Sequence, residues 1–231
     1  MRRIAIIPAR GGSKRIPQKN IKNFCGKPII EYPIKALNES KLFDKIHVST
    51  DNERIADLVR SLDLDIDFYR PNELSDDQTP IMPVIKYVIE EYKKRKEVFD
   101  EIWIVLPCSP MINSADLLQA SCMFKETDNS KSLMAVAEYS VPIEWAYEIN
   151  ENGVLIPINK GSFAIRSQDI KKKFYDAGMF YIHSKSTIAK VHSGGSDENI
   201  MPFLIPKARA IDIDSHEDWD LAEKLFKIMK Q

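Results

Sequence analysis

The sequence predicts an α/β protein built on a doubly wound, mostly parallel sheet, with an antiparallel arm inserted at 140–175. Three observations point there. Ile4-Ala5-Ile6-Ile7, Ile102-Trp103-Ile104-Val105-Leu106 and Leu133-Met134-Ala135-Val136-Ala137 are unbroken apolar runs, which suit strands buried on both faces of a parallel sheet. Helical spacing separates such runs, and strand alternating with helix marks a sheet covered on both sides. The alternation then stops, and Asn152-Gly153 gives a hairpin signal.

With 231 residues, 44% of them hydrophobic, the chain can bury one full core. No repeat, low-complexity tract or linker divides it, so 1–231 reads as a single domain plus the arm. The 33 basic and 34 acidic side chains nearly cancel, which argues against a nucleic-acid partner. No apolar run approaches the roughly 20 residues that span a bilayer, and Met1-Arg2-Arg3 before a short strand lacks a signal-peptide pattern. Cys25, Cys108 and Cys122 are unclustered and read as reduced thiols. A cytoplasmic protein with no membrane partner is expected.

The first strand breaks at Pro8, and Ala9-Arg10-Gly11-Gly12-Ser13-Lys14-Arg15-Ile16-Pro17-Gln18-Lys19-Asn20 follows. Gly11 and Gly12 can take φ > 0 and bring backbone N–H groups close to a ligand, forming an anion-binding concavity. Arg10, Lys14, Arg15 and Lys19 add charge, and an Arg can grip phosphate with two parallel hydrogen bonds. The spacings G-x-x-x-x-G-K-[ST] and G-x-G-x-x-G are absent. Even so, this much charge and turn chemistry straight after a buried strand favours a triphosphate-holding loop over a basic surface turn.

Gly26-Lys27-Pro28 leads into a helix with Ile29, Ile30, Ile34 and Leu37, Pro28 near its start and Pro33 in its first turn. Residues 45–50 form the second strand, and Asp51 can cap the helix of Ile55, Leu58, Val59 and Leu62. A short third strand covers 66–69. The polar loop 70–80 precedes a helix with Val84, Ile85, Val88 and Ile89. Residues 101–107 are a buried strand ending in Cys108-Ser109-Pro110. Ligand crevices of open α/β sheets lie beyond the carboxyl ends of strands, so the tips at Pro8, Thr50, Arg70 and Pro107 should face one cleft. Cys108, a lone thiol with no evident His partner, reads as a packing residue.

Ser114 can cap a helix with Leu117, Leu118, Cys122 and Phe124; 133–137 is a strand; 146–158 is the hairpin. Gly194-Gly195-Ser196 is a loop tip without chemistry, and His47, His183, His192 and His216 show no ligand spacing. Residues 211–214 close the sheet, and Ser215 with Asp218 makes a capping box for a last helix from Trp219 to Met229. Strand alternation would anchor Ile211 and Ile213 in the core and set Asp212 beside Asp214. Unpaired carboxylates repel, and a divalent cation removes the conflict; Mg²⁺ usually takes one or two carboxylates plus substrate phosphates. The competing reading has Asp214 assist the N-terminus of the last helix.

The run Ile7-Pro8-Ala9-Arg10-Gly11-Gly12-Ser13-Lys14-Arg15-Ile16-Pro17, closed by Lys19-Asn20, resembles the signature of the nonulosonic acid cytidylyltransferases. These enzymes make CMP-sialic acid and its bacterial relatives. Further matches run along essentially the whole chain, and the resemblance is strongest to the pseudaminic acid branch. It implies the Rossmann-type sheet of the nucleotide-diphospho-sugar transferases and an arm that packs on a second subunit. Trp145, Leu155 and Ile156 become interface candidates in a homodimer, against an arm folded on its own domain. The implied substrates are CTP and a nonulosonic acid, with Mg²⁺ on Asp212 and Asp214. Ala9, Arg10, Gly11, Gly12, Ser13, Arg15, Lys19 and Asn20 would hold the nucleotide. Arg70, Asp77 and Thr79 of an R-P-x-x-L-x-x-D-x-T segment would join them, Arg70 on a phosphate and Thr79 near cytosine or ribose. Lys19, Arg10 and Asp212 would be catalytic.

The sugar side would comprise Leu106, Ser109, Arg166 and Gln168. Sialic acid enzymes read Q-P-T-S-P where this chain has Leu106-Pro107-Cys108-Ser109-Pro110, and R-R-Q-D where it has Arg166-Ser167-Gln168-Asp169. Asp176-Ala177-Gly178 with Phe180-Tyr181 matches the D-A-G-x-F-Y of pseudaminic acid enzymes, whereas sialic acid enzymes prefer N-G-A-x-Y. N-acetylneuraminic, legionaminic and Kdo substrates are the related options. A glycosyltransferase, since many place D-x-D at a strand end, and a nucleotide-sensing module without turnover are the other classes. Pyrophosphate release without a glycan acceptor separates all three.

Overall fold

The computed structural model describes residues 1–127, 130–191 and 198–230. Its strands are β1 (Arg3–Pro8), β2 (Asn23–Phe24), β3 (Lys27–Pro28), β4 (Lys45–Ser49), β5 (Glu101–Val105), β6 (Ser132–Glu138), β7 (Tyr147–Ile149), β8 (Leu155–Pro157), β9 (Phe174–Ser184) and β10 (Ile200–Leu204). Its α-helices are α1 (Glu31–Ser40), α2 (Glu53–Arg60), α3 (Ile81–Lys94), α4 (Ser114–Lys125), α5 (Lys185–Lys190) and α6 (His216–Met229).

The main sheet has the order β10-β6-β9-β5-β1-β4. β1 lies parallel between β4 and β5, β10 is parallel to β6, and β9 alone runs antiparallel, between β5 and β6. The expected mostly parallel sheet is therefore present. Alternate residues of β1 serve opposite layers. Ala5 and Ile7 pack with Ile34 of α1, Ile55 of α2 and Phe124 of α4. Ile4 and Ile6 pack with Ile85 and Tyr92 of α3 and Ile188 of α5. Burying an Ile of this kind stabilises by roughly 1.5–3 kcal/mol, which is why the run must be apolar throughout. A third cluster joins Ile16, Phe24 and Ile29 to Ile213, Trp219 and Ala222. It fastens the loop after β1 to the segment before α6, so these two segments meet beside one cleft.

Several local expectations are corrected. Pro28 lies in the β2–β3 hairpin, not in α1. Cys25 and Gly26 form its two-residue turn with φ of 46° and 96°, the paired left-handed conformations of a type I′ turn. Pro33 does fall in the first turn of α1. Asn52, not Asp51, caps α2, accepting from the N–H groups of Arg54 and Ile55 at 3.0 and 3.3 Å. Asn113, not Ser114, caps α4, accepting from Asp116 N–H at 2.9 Å. In both places an Asn next to the expected residue supplies the same acceptor from an extended backbone.

Residues 66–69 are not a strand. Their side chains bridge β4 to α3: Asp67 meets Lys45 at 2.7 Å and Tyr92, while Phe68 stacks on His47. Nor are 211–214 a strand; β10 takes the sheet edge instead. Pro202 sits within β10, a placement that only an edge strand tolerates and that hides the strand from pattern reading.

The last helix begins at His216, and its capping box is present. Ser215 Oγ accepts from Asp218 N–H at 3.2 Å, and Asp218 accepts from Ser215 N–H at 2.7 Å. In the arm, β7 and β8 pair antiparallel about the Asn152-Gly153 turn, with Gly153 at φ 75°. Trp145 is half-buried, packs on Phe163 and donates to the Ser162 carbonyl at 3.0 Å. The Gly194-Gly195-Ser196 tip and His192 lie outside the described residues. Among the described residues no helix is long and apolar enough to cross a membrane.

Candidate active site

β1 delivers its loop to the carboxyl end of the sheet. Ala9 N–H bonds the Ser49 carbonyl at 2.9 Å and the residue is fully buried, so Ala9 belongs to the core rather than the cleft wall. Gly11 N–H donates to Asp51 Oδ1 at 2.9 Å. A Cβ on Gly11 would stand 2.6 Å from Asn52 Nδ2, so glycine is required there for close packing on the turn after β4. Neither Gly11 nor Gly12 has positive φ. The expected concavity of free amides is thus partly closed by Asp51, and the loop residues that line the cleft carry side chains. Lys19 opens a short 3-10 turn (Lys19–Ile21), entered through Gln18 at φ 52°.

The cleft beyond β1 and β5 has a volume of about 520 Å³. Arg10, Ser13, Arg15, Lys19 and Asn20 line it from the loop, and Arg70, Asp77 and Thr79 from the opposite side. Leu106 stands at the tip after β5, and Asp212 and Asp214 complete the wall. Those expected residues come together from segments far apart in sequence. Lys14, Ile81, Val84, Cys108 and Gly178 also line it; of these, the sequence marked Lys14 by its charge, Gly178 through its motif, and Cys108 and Val84 for packing alone.

Five expected contacts fall outside the cleft besides Ala9. Gly11 and Gly12 do not line it, and Ser109 is buried with its hydroxyl donating to the Leu106 carbonyl at 2.5 Å. Arg166 is exposed in the arm, paired with Asp169 at 2.8 Å. Gln168 lines a separate cavity of about 290 Å³ with Lys171, Lys172 and Lys173. A single chain does not bring Arg166 or Gln168 to the cleft, because the arm holds them apart from the strand tips.

Charge is paired in two groups. Arg10 donates to the Asp76 carbonyl at 2.6 Å and pairs with Asp77 at 2.7 Å, and Lys14 also reaches Asp77. The Lys14 hydrogen bond, with Arg10 helping, holds the Asp77 carboxyl below its usual range. Asp77 therefore answers the loop's cations and offers nothing to a phosphate. Asp76 accepts from the Thr79 N–H and hydroxyl at 2.6 and 2.7 Å, which fixes the Thr79 region. Arg70 is buried and donates to Ser49 Oγ at 3.2 Å and the Ser49 carbonyl at 2.7 Å. Burial lowers its pKa to about 10, so it keeps its charge at neutral pH.

At the other end, Lys19 donates to the Ile213 carbonyl and meets Asp214 at 3.3 Å, and Arg15 meets the same carboxylate at 2.9 Å. The Asp212 carboxylate has no hydrogen-bond or ion-pair partner among the described residues. Burial, and then the charge of Asp214, raise its pKa. Asn20 donates to the Arg10 carbonyl at 2.9 Å and accepts from Cys108 Sγ at 3.3 Å. Burial pushes the Cys108 thiol up to about 12, so it remains protonated and serves packing, as expected. No group of three or more His, Cys, Asp or Glu side chains stands ready for a metal among the described residues. An unpartnered carboxylate next to a second one still fits a hard cation that completes its shell with substrate oxygens.

The family profile for cytidylyltransferases matches residues 4–176. The chain is 34% identical to the pseudaminic acid cytidylyltransferase of Campylobacter jejuni, over 99% of this chain and 97% of that protein. It is 29% identical to the CMP-N,N'-diacetyllegionaminic acid synthase of Legionella pneumophila, over 100% and 99% of the two chains. Among solved structures, CMP:2-keto-3-deoxy-manno-octonic acid synthetase complexed with CTP superposes with a TM-score of 0.72 over 99% of this chain and all of that one. At 15% identity that likeness speaks for the fold alone.

Proposed function

Because the chain belongs to the cytidylyltransferase family, we propose that it activates a nonulosonic acid with CTP, and that the sugar is pseudaminic acid. The anomeric hydroxyl attacks the α-phosphorus, a new O–P bond forms, and the bond to the bridging oxygen breaks so that pyrophosphate leaves. The observation that carries this reading is the meeting of Arg10, Arg15 and Lys19 with Asp212 in one cleft. Positioned cations stabilise the charge that develops on transferring and departing phosphates. Asp212 and Asp214 would hold Mg²⁺, which supplies further neutralisation of phosphate oxygens when bound.

Asp214 is paired with Arg15 and Lys19. Those cations could turn to the triphosphate if the carboxylates took the metal, so Asp214 would not be left with an unpaired charge. Leu106 in the cleft wall, the Asp176-Ala177-Gly178 stretch and the name of the Campylobacter jejuni relative support pseudaminic acid. Exposed apolar residues of the arm support a homodimer: Ile149 is 72% exposed, Leu155 60% and Phe163 67%. The free thiols of Cys25, Cys108 and Cys122 support a reducing, cytoplasmic setting.

The test is pyrophosphate release from CTP and Mg²⁺ with a panel of pseudaminic, legionaminic, N-acetylneuraminic and Kdo acids, with UTP, ATP and GTP as controls. Release that requires CTP and is fastest with pseudaminic acid is expected. No release with any sugar would reject the function.

A further inference from the structure

Strand β9 is irregular where it passes the cleft. Its pairing with β6 runs Leu133 to Ile182 and Met134 to Tyr181, then resumes at Val136 to Asp176. Only Ala135 on β6 thus stands against the stretch from Ala177 to Phe180, a bulge in β9. Gly178 sits in that bulge at φ 62°, a left-handed conformation that favours glycine. It lines the cleft, and a Cβ there would lie 3.3 Å from both Cγ and Oδ1 of Asp212. The bare backbone of Gly178 is therefore packed against the carboxyl that has no protein partner.

Both sides of the bulge are tied to one side chain. Asp176 Oδ1 accepts from Gly178 N–H at 2.9 Å, and Oδ2 accepts from the Tyr181 hydroxyl. Burial first, then Asp176 itself, raises the Tyr181 pKa, so the phenol keeps the proton it donates. With both oxygens occupied within β9, Asp176 is not arranged as a sugar contact. Its work is internal.

We propose that Asp176 is a positioning residue: it clamps the bulge so that the Gly178 backbone fixes where the Asp212 carboxylate stands in the cleft. The inference rests on the proposed cytidylyl transfer. It also says why the Asp-Ala-Gly order matters here, since only the third position must be bare and left-handed.

Asp176→Ala, Asp176→Asn and Tyr181→Phe are assayed for kcat and KM, and each is titrated with CTP by calorimetry without metal. Asp176→Ala should lose about 10²-fold in kcat, the scale for a reacting group displaced by about 1 Å. Its CTP Kd should stay within about twofold of wild type, because Arg10, Arg15 and Lys19 are held by Asp76, Asp77, Asp214 and the Ile213 carbonyl rather than by Asp176. Asp176→Asn, which can still accept from Gly178 N–H, should recover kcat to within about tenfold, the span of one modest hydrogen bond. Tyr181→Phe should fall between these. Wild-type kcat in Asp176→Ala overturns the inference, and so does a CTP affinity that falls as far as kcat, the mark of general structural loss. If Asp176→Ala does not fold, Tyr181→Phe decides, and wild-type kcat in it overturns the proposal. A wild-type chain inactive on every sugar rejects the proposed function and the inference with it; an active chain indifferent to the clamp rejects the inference alone.

Discussion

Arg15 and Lys19 hold the two oxygens of one carboxylate, Asp214, at 2.9 and 3.3 Å. The two cations are not equivalent. The Arg15 side chain is 71% exposed, and an ion pair that open is worth at most about 1 kcal/mol, so Arg15 can change partners at little cost. Lys19 is only 19% exposed and also donates to the Ile213 carbonyl, which holds it in place before any ligand arrives.

Lys19→Ala should therefore reduce turnover by about 10²–10³-fold, the usual loss for one preorganised donor to developing charge. Thermal unfolding of the variant should stay close to wild type. Initial rates of pyrophosphate release check this, and near-normal turnover would remove Lys19 from the chemistry.

Asp212→Asn separates a metal role from a structural one. The folded-state pKa of Asp212 is raised, so the folded chain holds that proton better than the unfolded chain does. Ionised Asp212 then opposes folding, and stability is lost as pH rises from the ordinary carboxylate value through the raised folded one. Asp212→Asn should melt at the same temperature or higher at pH 7, yet need more Mg²⁺ for half-maximal rate. An unchanged Mg²⁺ dependence would exclude Asp212 as a ligand.

His183 supplies a pH dependence of stability remote from the cleft. It is buried, with Nδ1 2.8 Å from Ser132 Oγ, and burial lowers its pKa from 6.5 to about 4. Between those values the unfolded chain takes up a proton that the folded chain refuses. Stability should fall as pH drops from 6.5 towards 4 and level off below, by roughly 3 kcal/mol at most. Denaturant unfolding of wild type and His183→Asn across that range should show the smaller decline in the variant. Parallel declines would place the effect elsewhere.

Leu106 lines the cleft without a polar partner to offer a sugar hydroxyl. A hydroxyl buried there unpaired costs roughly 1–3 kcal/mol. Pseudaminic acid, whose side chain ends in a methyl, should exceed N-acetylneuraminic acid in kcat/KM by at least about tenfold. Leu106→Gln should narrow that ratio. Competition between the two sugars in one reaction measures it directly, and a ratio near one would discard Leu106 as a discriminator.

The arm leaves Leu155 60% and Ile156 43% exposed on β8. Replacing both with Asp should turn a dimer into monomers in sedimentation velocity without unfolding the main sheet, since among the described residues β7 and β8 pair only with each other. Dimers that survive the double change would point to another interface.

Local pattern explains which parts of the fold were legible. Apolar runs at β1, β5 and β6, the Asn152-Gly153 turn and the Ser215–Asp218 capping box all depend on neighbours in sequence, and all are present. β10 was not legible, because Pro202 breaks the run that would announce it. The strand assigned to 211–214 failed for the converse reason. Its alternation of Ile and Asp comes from Ile213 entering the cluster beside α6, not from pleating in a sheet.

By itself the sequence determined the layered α/β architecture and the cation-rich loop after β1, since both are encoded by residue type at short spacing. Only the tertiary structure decided who pairs with whom. Asp51 ties the Gly11 amide 40 residues away instead of capping α2, and Lys19 meets Asp214 across 195 residues. Asp77 neutralises Arg10 and Lys14, Arg166 and Gln168 remain in the arm, and Asp212 stands unpaired against Gly178. Periodicity carries no information over such separations; those contacts follow from how the packed layers bring strand ends together.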